Sequence, residues 1–103
     1  MALELRPNCE YCDRDLPPAS AEARICSYEC TFCADCVATR LRNVCPNCGG
    51  GFMPRPIRPR VARRPGVGLD HQPASTQRRV LKHPAEDVER FVAQVAGIAA
   101  QDR

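Results

Sequence analysis

Eight cysteines fall in four close pairs within residues 9–48, and none lies elsewhere in the 103-residue chain. The pairs are Cys9-x2-Cys12, Cys26-x3-Cys30, Cys33-x2-Cys36 and Cys45-x2-Cys48. Two residues between cysteines let a tight backbone knuckle aim both sulfurs at one ion about 2.3 Å away, the zinc–sulfur distance of tetrahedral sites. Four such pairs provide two four-cysteine sites with no thiol left over. Zinc is the expected metal, two Zn2+ per chain, although soft thiolates also accept iron and spacing alone does not separate the two.

Two other uses of paired cysteines compete with this reading. Stapled secreted domains also carry an even number of cysteines. The opening run from Met1 to Pro7 has no basic leader followed by an apolar stretch, so no secretory signal is expected. No stretch approaches the ~18 apolar residues of a membrane span. A cytoplasmic setting is therefore expected, where thiols stay reduced and clustered cysteines serve metals or redox chemistry. His71 and His83 lie far from any cysteine pair and read as solvated side chains. A catalytic zinc keeps an open position and usually takes histidine or carboxylate ligands, whereas all-cysteine sites are closed. No enzyme activity is expected.

Size and charge agree with a structural metal. The cysteine-bearing half, residues 1–52, has few large apolar side chains, among them Leu16, Phe32, Leu41 and Val44. A unit that small rarely folds on burial alone. Structural zinc supplies an apparent ~10–16 kcal/mol per site in small fingers at neutral pH, enough to organise it. Five arginines face seven acids over residues 1–52. Eight thiolates holding two divalent ions make that half more acidic still, so it lacks the basic footprint of a nucleic-acid reader.

Around the cysteines the chain divides into three parts. Residues 1–52 form the cysteine domain. Residues 53–83 carry Pro54, Pro56, Pro59, Pro65 and Pro73 with Gly66 and Gly68, and read as an extended or disordered Pro/Arg linker. Residues 84–101 read as an amphipathic helix, with Pro84 suited to the first helical position and Glu86, Asp87 and Glu89 at its positive end. Val88, Phe91, Val92, Val95 and Ile98 follow helical spacing and form one stripe. That stripe must dock on its own domain, pair with a second copy, or hold another partner.

The eight ligands divide either sequentially or in interleaved fashion. Interleaving gives Cys9, Cys12, Cys33 and Cys36 to one ion, and Cys26, Cys30, Cys45 and Cys48 to the other. Local composition favours it. The run Arg24 to Phe32 is β-rich around a short turn, so Cys26 and Cys30 can face each other across a hairpin. Cys33-Ala-Asp-Cys36 leads into a short helix over Val37–Asn43 with Val37, Leu41 and Val44 inward, and Cys45-Pro-Asn-Cys48 is a knuckle leaving through glycines. Knuckle, hairpin, helix and knuckle in this order resemble the RING-finger cross-brace, with Cys30 where most members have histidine. The expected fold is a small zinc-stabilised α+β RING-like domain, then the linker and the C-terminal helix.

In RING ubiquitin ligases, an apolar residue in the first pair, an apolar helix residue and a proline in the last pair form the partner surface. By that resemblance Tyr11, Leu41 and Pro46 fill these roles. Gly49, however, stands where a basic residue usually follows the eighth ligand. A closer resemblance covers roughly residues 1–60. The runs Leu3 to Pro18, Ala23 to Cys36 and Cys45 to Gly50 are similar to the short bacterial zinc proteins of domain-of-unknown-function family 1272. The resemblance implies a metal-binding protein with no assigned activity.

Three function classes follow. The first is a structural zinc module making protein contacts. The second is a nucleic-acid-associated protein using Arg55, Arg58, Arg60, Arg63 and Arg64 in residues 53–64, with the weak affinity of a short basic run. The third is a RING-type, ligase-like protein. Self-association through the C-terminal helix is compatible with each.

Overall fold

The computed structural model describes residues 2–103. Its sheet begins with β1 (Ala23–Ile25) and β2 (Thr31–Cys33), an antiparallel hairpin in which Ala23 faces Cys33, Arg24 faces Phe32 and Ile25 faces Thr31. β-Branched and aromatic side chains suit the two strands. Cys26 and Cys30 continue that register, and the turn closes as Cys26 N donates to Cys30 O at 3.2 Å. Glu29 takes a φ of 70° to complete it. The expected hairpin is present.

α1 (Ala34–Thr39) starts within the third cysteine pair, earlier than the Val37 expected from the apolar pattern. The reason is local. Cys33 is its N-cap, and the sulfur accepts from Cys36 N, so knuckle and first helical turn are the same piece of backbone. The helix ends at Thr39 because Arg42 and Asn43 swing to positive φ, 46° and 61°. That turn brings Leu41 and Val44 inward, where both are fully buried.

The linker expected to begin at residue 53 instead starts as a third strand, β3 (Met53–Pro54), on the free side of β1. Ile25 faces Met53 and Arg24 faces Pro54. Proline lacks a donor but is tolerated on a sheet edge. The boundary drawn from composition thus falls inside a sheet.

Beyond β3 the Pro/Arg segment, expected as a disordered linker, follows a traced course back across the domain. Residues 59–72 turn on themselves, with Leu69 N donating to Pro59 O and Gln72 N to Gly68 O, and other groups of the segment bond to the N-terminal run. Ser75 N donates to Leu5 O at 3.0 Å and Leu81 N to Glu10 O at 2.8 Å. Arg55 is buried, donating to the carbonyls of Arg6 (2.8 Å), Leu16 (3.1 Å) and Pro17 (3.0 Å). Arg58 donates to the carbonyls of Gln72 and Leu3.

α2 (Ala85–Val95) is shorter than the expected 84–101, and Pro84 is its N-cap rather than its first residue. It stops before Gly97, and a 3-10 turn, Ala100–Asp102, follows. Glycine weakens a helix by about 1 kcal/mol relative to alanine, and the apolar stripe is nearly spent at that point. Val88 and Val92 are fully buried with Leu16, Phe32, Leu41, Val44 and Phe52, while Phe91 and Val95 pack at the margin. Phe32 and Phe52 meet edge to face at 5.4 Å. Each buried valine contributes about 1.5–3 kcal/mol. The helix docks on its own domain.

Candidate metal centre

The first cluster joins two distant pairs. The sulfurs of Cys9, Cys12, Cys33 and Cys36 all lie within 4.8 Å of one another. Cys12 Sγ and Cys33 Sγ are 3.8 Å apart. A tetrahedron with ~2.3 Å metal–sulfur bonds has edges of about 3.8 Å, so the spacing fits. Cys9, Cys33 and Cys36 are buried and Cys12 is exposed.

Backbone builds this cluster from both sides. The first knuckle is a closed loop in which Cys9 N donates to Arg14 O and Asp13 N to Cys9 O, both at 2.8 Å. Asp13 accepts a φ of 65° to turn it. Cys12 N points at Cys9 Sγ and Cys36 N at Cys33 Sγ, both at 3.5 Å. Such donors orient thiolate ligands and temper their charge.

The second cluster is looser. Cys26, Cys45 and Cys48 lie within 4.8 Å of one another, and Cys30 stands outside that compass, beside Cys45 and Cys26. Tyr28 N donates to Cys26 Sγ (3.3 Å), Gly50 N to Cys48 Sγ (3.4 Å) and the Asn47 side-chain amide to Cys30 Sγ (3.5 Å). A surface pocket of about 450 Å3 has Tyr28, Cys30, Asn47 and Cys48 as its wall.

Crowding sets the thiol acidities apart. A bond from the Cys45 thiol, with help from Asn47 and Cys26, outweighs burial and brings Cys30 down to about 5. The same bond, from the donor's side, pushes Cys45 strongly up. Burial raises Cys26 to about 11 and drives Cys36 higher still. Burial also raises Cys9, whereas at Cys33 the Cys36 N–H and neighbouring thiols overcome it and lower the group. Within each cluster the thiols share protons that a soft cation would displace.

A polar layer that the cysteine spacing did not reveal backs the first cluster. Asn8 is fully buried, and its amide clasps the backbone of residue 79 at both ends, Nδ2 to Arg79 O (2.8 Å) and Oδ1 from Arg79 N (3.2 Å). The buried Glu10 carboxylate accepts from Thr31 N (2.6 Å) and from Arg6 (2.9 Å), tying the first knuckle to the hairpin. A polar residue beside the first cysteine on each flank, Asn8 and Glu10, is the only sequence signal of it. Asn47 was legible only as a neighbour of Pro46.

Other expected site residues fall elsewhere. Leu41 has no exposed surface and Pro46 is buried, so neither can meet a partner in this conformation. Tyr11 is half-buried, with the Arg40 guanidinium 5.1 Å from its ring centre, and shares a cleft with Val88 and Val92 of α2. The chain's own helix lies on the face that the RING resemblance assigned to a partner. Of the five arginines in residues 53–64, Arg55 and Arg58 are spent on carbonyls, which leaves Arg60, Arg63 and Arg64 facing solvent. His71 and His83 are exposed and belong to neither cluster.

Residues 2–58 match the family model described as Protein of unknown function (DUF1272). The chain belongs to this family. An uncharacterized protein of Rhizobium meliloti (strain 1021) is 58% identical over 80 residues, which cover 78% of this chain and 87% of that one. No solved structure matches. The matched region of the DUF1272 model ends just past β3, so the family segment holds both cysteine clusters. The returning segment and α2 lie beyond it. No helix among the described residues is long and apolar enough to cross a membrane.

Proposed function

We propose that this DUF1272 protein is a zinc-stabilised, cross-braced binding module without catalytic activity. Cys9, Cys12, Cys33 and Cys36 hold one Zn2+, and Cys26, Cys30, Cys45 and Cys48 hold the second. The observation that carries this reading is the convergence of Cys9 and Cys12 with Cys33 and Cys36 across twenty residues of intervening chain, with the hairpin cysteines left to the other cluster. All-thiolate sets select zinc or iron, and a closed tetrahedral site of four thiolates supplies folding energy rather than a reactive position.

The zinc domain serves protein contacts rather than nucleic acid or ubiquitin transfer. Burial of Leu41 and Pro46 weighs against a ligase-like surface, and the internal use of Arg55 and Arg58 weighs against a phosphate-tracking linker. Exposed Tyr28 and Met53 sit at the hairpin end of the sheet, Met53 opposite Ile25, and offer apolar surface there. Elemental analysis of protein purified without added metal tests the metal reading, with two zinc ions per chain expected. One ion per chain, or stoichiometric iron, contradicts it. A pull-down from the host with metal-loaded and chelated protein tests the contact role, and partners retained equally by both forms argue against it.

A further inference from the structure

We propose that the two clusters differ in exchange. Cys26, Cys30, Cys45 and Cys48 form an exchangeable site for a thiophilic divalent cation, reached through the pocket between Cys30 and Cys48. Cys9, Cys12, Cys33 and Cys36 form the permanent one. This inference rests on the reading that each cluster binds one ion.

Three observations converge on it. In the first cluster every sulfur lies within 4.8 Å of every other, whereas in the second Cys30 stands outside the group that Cys26, Cys45 and Cys48 form within that distance. The pocket of about 450 Å3 has both Cys30 and Cys48 in its wall. It is large enough to admit a small thiol or chelator. Restraint differs as well. The first knuckle is clasped from outside by the returning segment, through Asn8 to residue 79, Glu10 O to Leu81 N, and Arg78 to Asp13 and Asp15.

The last knuckle is closed by the same backbone pattern as the first, Cys45 N to Gly50 O (2.8 Å) and Gly49 N to Cys45 O (2.7 Å), and its outside ties come from the C-terminal part of the chain. Arg103 donates to Asn43 O (2.7 Å) and Gly49 O (3.3 Å), and the Phe91 ring stands where a Cβ at Gly49 would touch it. The lip formed by Asn47 and Cys48 faces solvent, and Gly49, Gly50 and Gly51 follow it. Gly49 takes a φ of 80°, which suits glycine, and glycine leaves this exit with more backbone freedom than the Asp13-Arg14-Asp15 exit of the first knuckle.

The chemistry is ligand substitution. With an ion held by the four cysteines, a small-molecule thiol entering the pocket would give up one proton as its sulfur took the place of Cys48. The released Cys48 thiolate would take up one proton, so charge and protons would balance and nothing would be oxidised. Asn47 is a positioning residue. Its amide holds Cys30 at the mouth and keeps the remaining three thiolates together while Cys48 is away.

Full-length zinc-loaded protein mixed with excess chelating dye, with pulses of N-ethylmaleimide mapped by peptide mass spectrometry, tests this. We expect two release phases of equal amplitude, at least tenfold apart in rate. Cys26, Cys30, Cys45 and Cys48 should be alkylated in the fast phase, and Cys9, Cys12, Cys33 and Cys36 only in the slow one. A single phase for both ions, or early labelling of the first cluster, overturns the proposal. Protein that starts with fewer than two zinc ions instead overturns the two-site reading beneath it. In Asn47→Ala the fast phase should quicken about threefold with the slow phase unchanged, whereas an unchanged fast phase removes Asn47 from the account.

Discussion

The two cysteine clusters use the same ligand type and sit in one small core, yet they are built differently. The first takes a knuckle closed by its own backbone and a cysteine pair set into the first turn of α1, and a returning segment ties the knuckle down through Asn8 and Glu10. The second takes the two ends of a hairpin turn and a knuckle closed by the same backbone pattern, Cys45 N to Gly50 O and Gly49 N to Cys45 O, whose lip faces solvent. Ligand number does not decide how firmly a site is held. The groups behind the ligands do, because they fix where each sulfur points before any ion arrives.

The comparison breaks most readily at the ligands themselves. Cys36→Ser should abolish cooperative folding, since an ion worth roughly ten kcal/mol or more is lost from the buried, strapped cluster. Cys48→Ser should leave a folded chain with one zinc ion. Amide NMR spectra and metal content of the two variants measure this, and equal collapse of both would erase the distinction. Arg55→Met comes next. A buried guanidinium with three carbonyl partners is replaced by an apolar side chain, which strands those acceptors and should cost about 2–4 kcal/mol in thermal unfolding of the holo protein.

Smaller effects sharpen the contrast. Asn8→Ala unties the returning segment from the first knuckle and should cost about 1–3 kcal/mol, with faster amide exchange at residues 79–81. It should also quicken release of the first ion, the mirror image of Asn47→Ala. Acidification should separate the clusters too. Metal binds the deprotonated thiols, so affinity falls as pH falls, and the less restrained second cluster should empty at the higher pH. Simultaneous loss of both ions in a pH titration followed by absorbance of the cobalt form would speak against unequal restraint.

Much of this was legible in the cysteines and the hairpin. Spacing located both knuckles, and β-rich residues around Cys26 and Cys30 located the turn, because these are local properties of a few residues. What local pattern missed were the groups whose partners lie far along the chain. Arg55 reads as a solvated linker arginine until three carbonyls close around it. Met53 and Pro54 read as linker because proline composition hides an edge strand. Leu41 and Pro46 are given to a partner surface by resemblance alone, and that resemblance says nothing of a helix that this chain brings itself. The amphipathic stripe was visible, and α2 proved shorter because Gly97 ends it and Ile98 stays largely outside the core.

Interleaving assigns one ion to each cluster. Cadmium-113 NMR of the two-cadmium protein, correlated to the cysteine β-protons, tests it most directly. The account predicts two cadmium resonances, one coupled to Cys9, Cys12, Cys33 and Cys36 and the other to Cys26, Cys30, Cys45 and Cys48. Coupling of Cys9 and Cys12 to the same ion as Cys26 and Cys30 would contradict it.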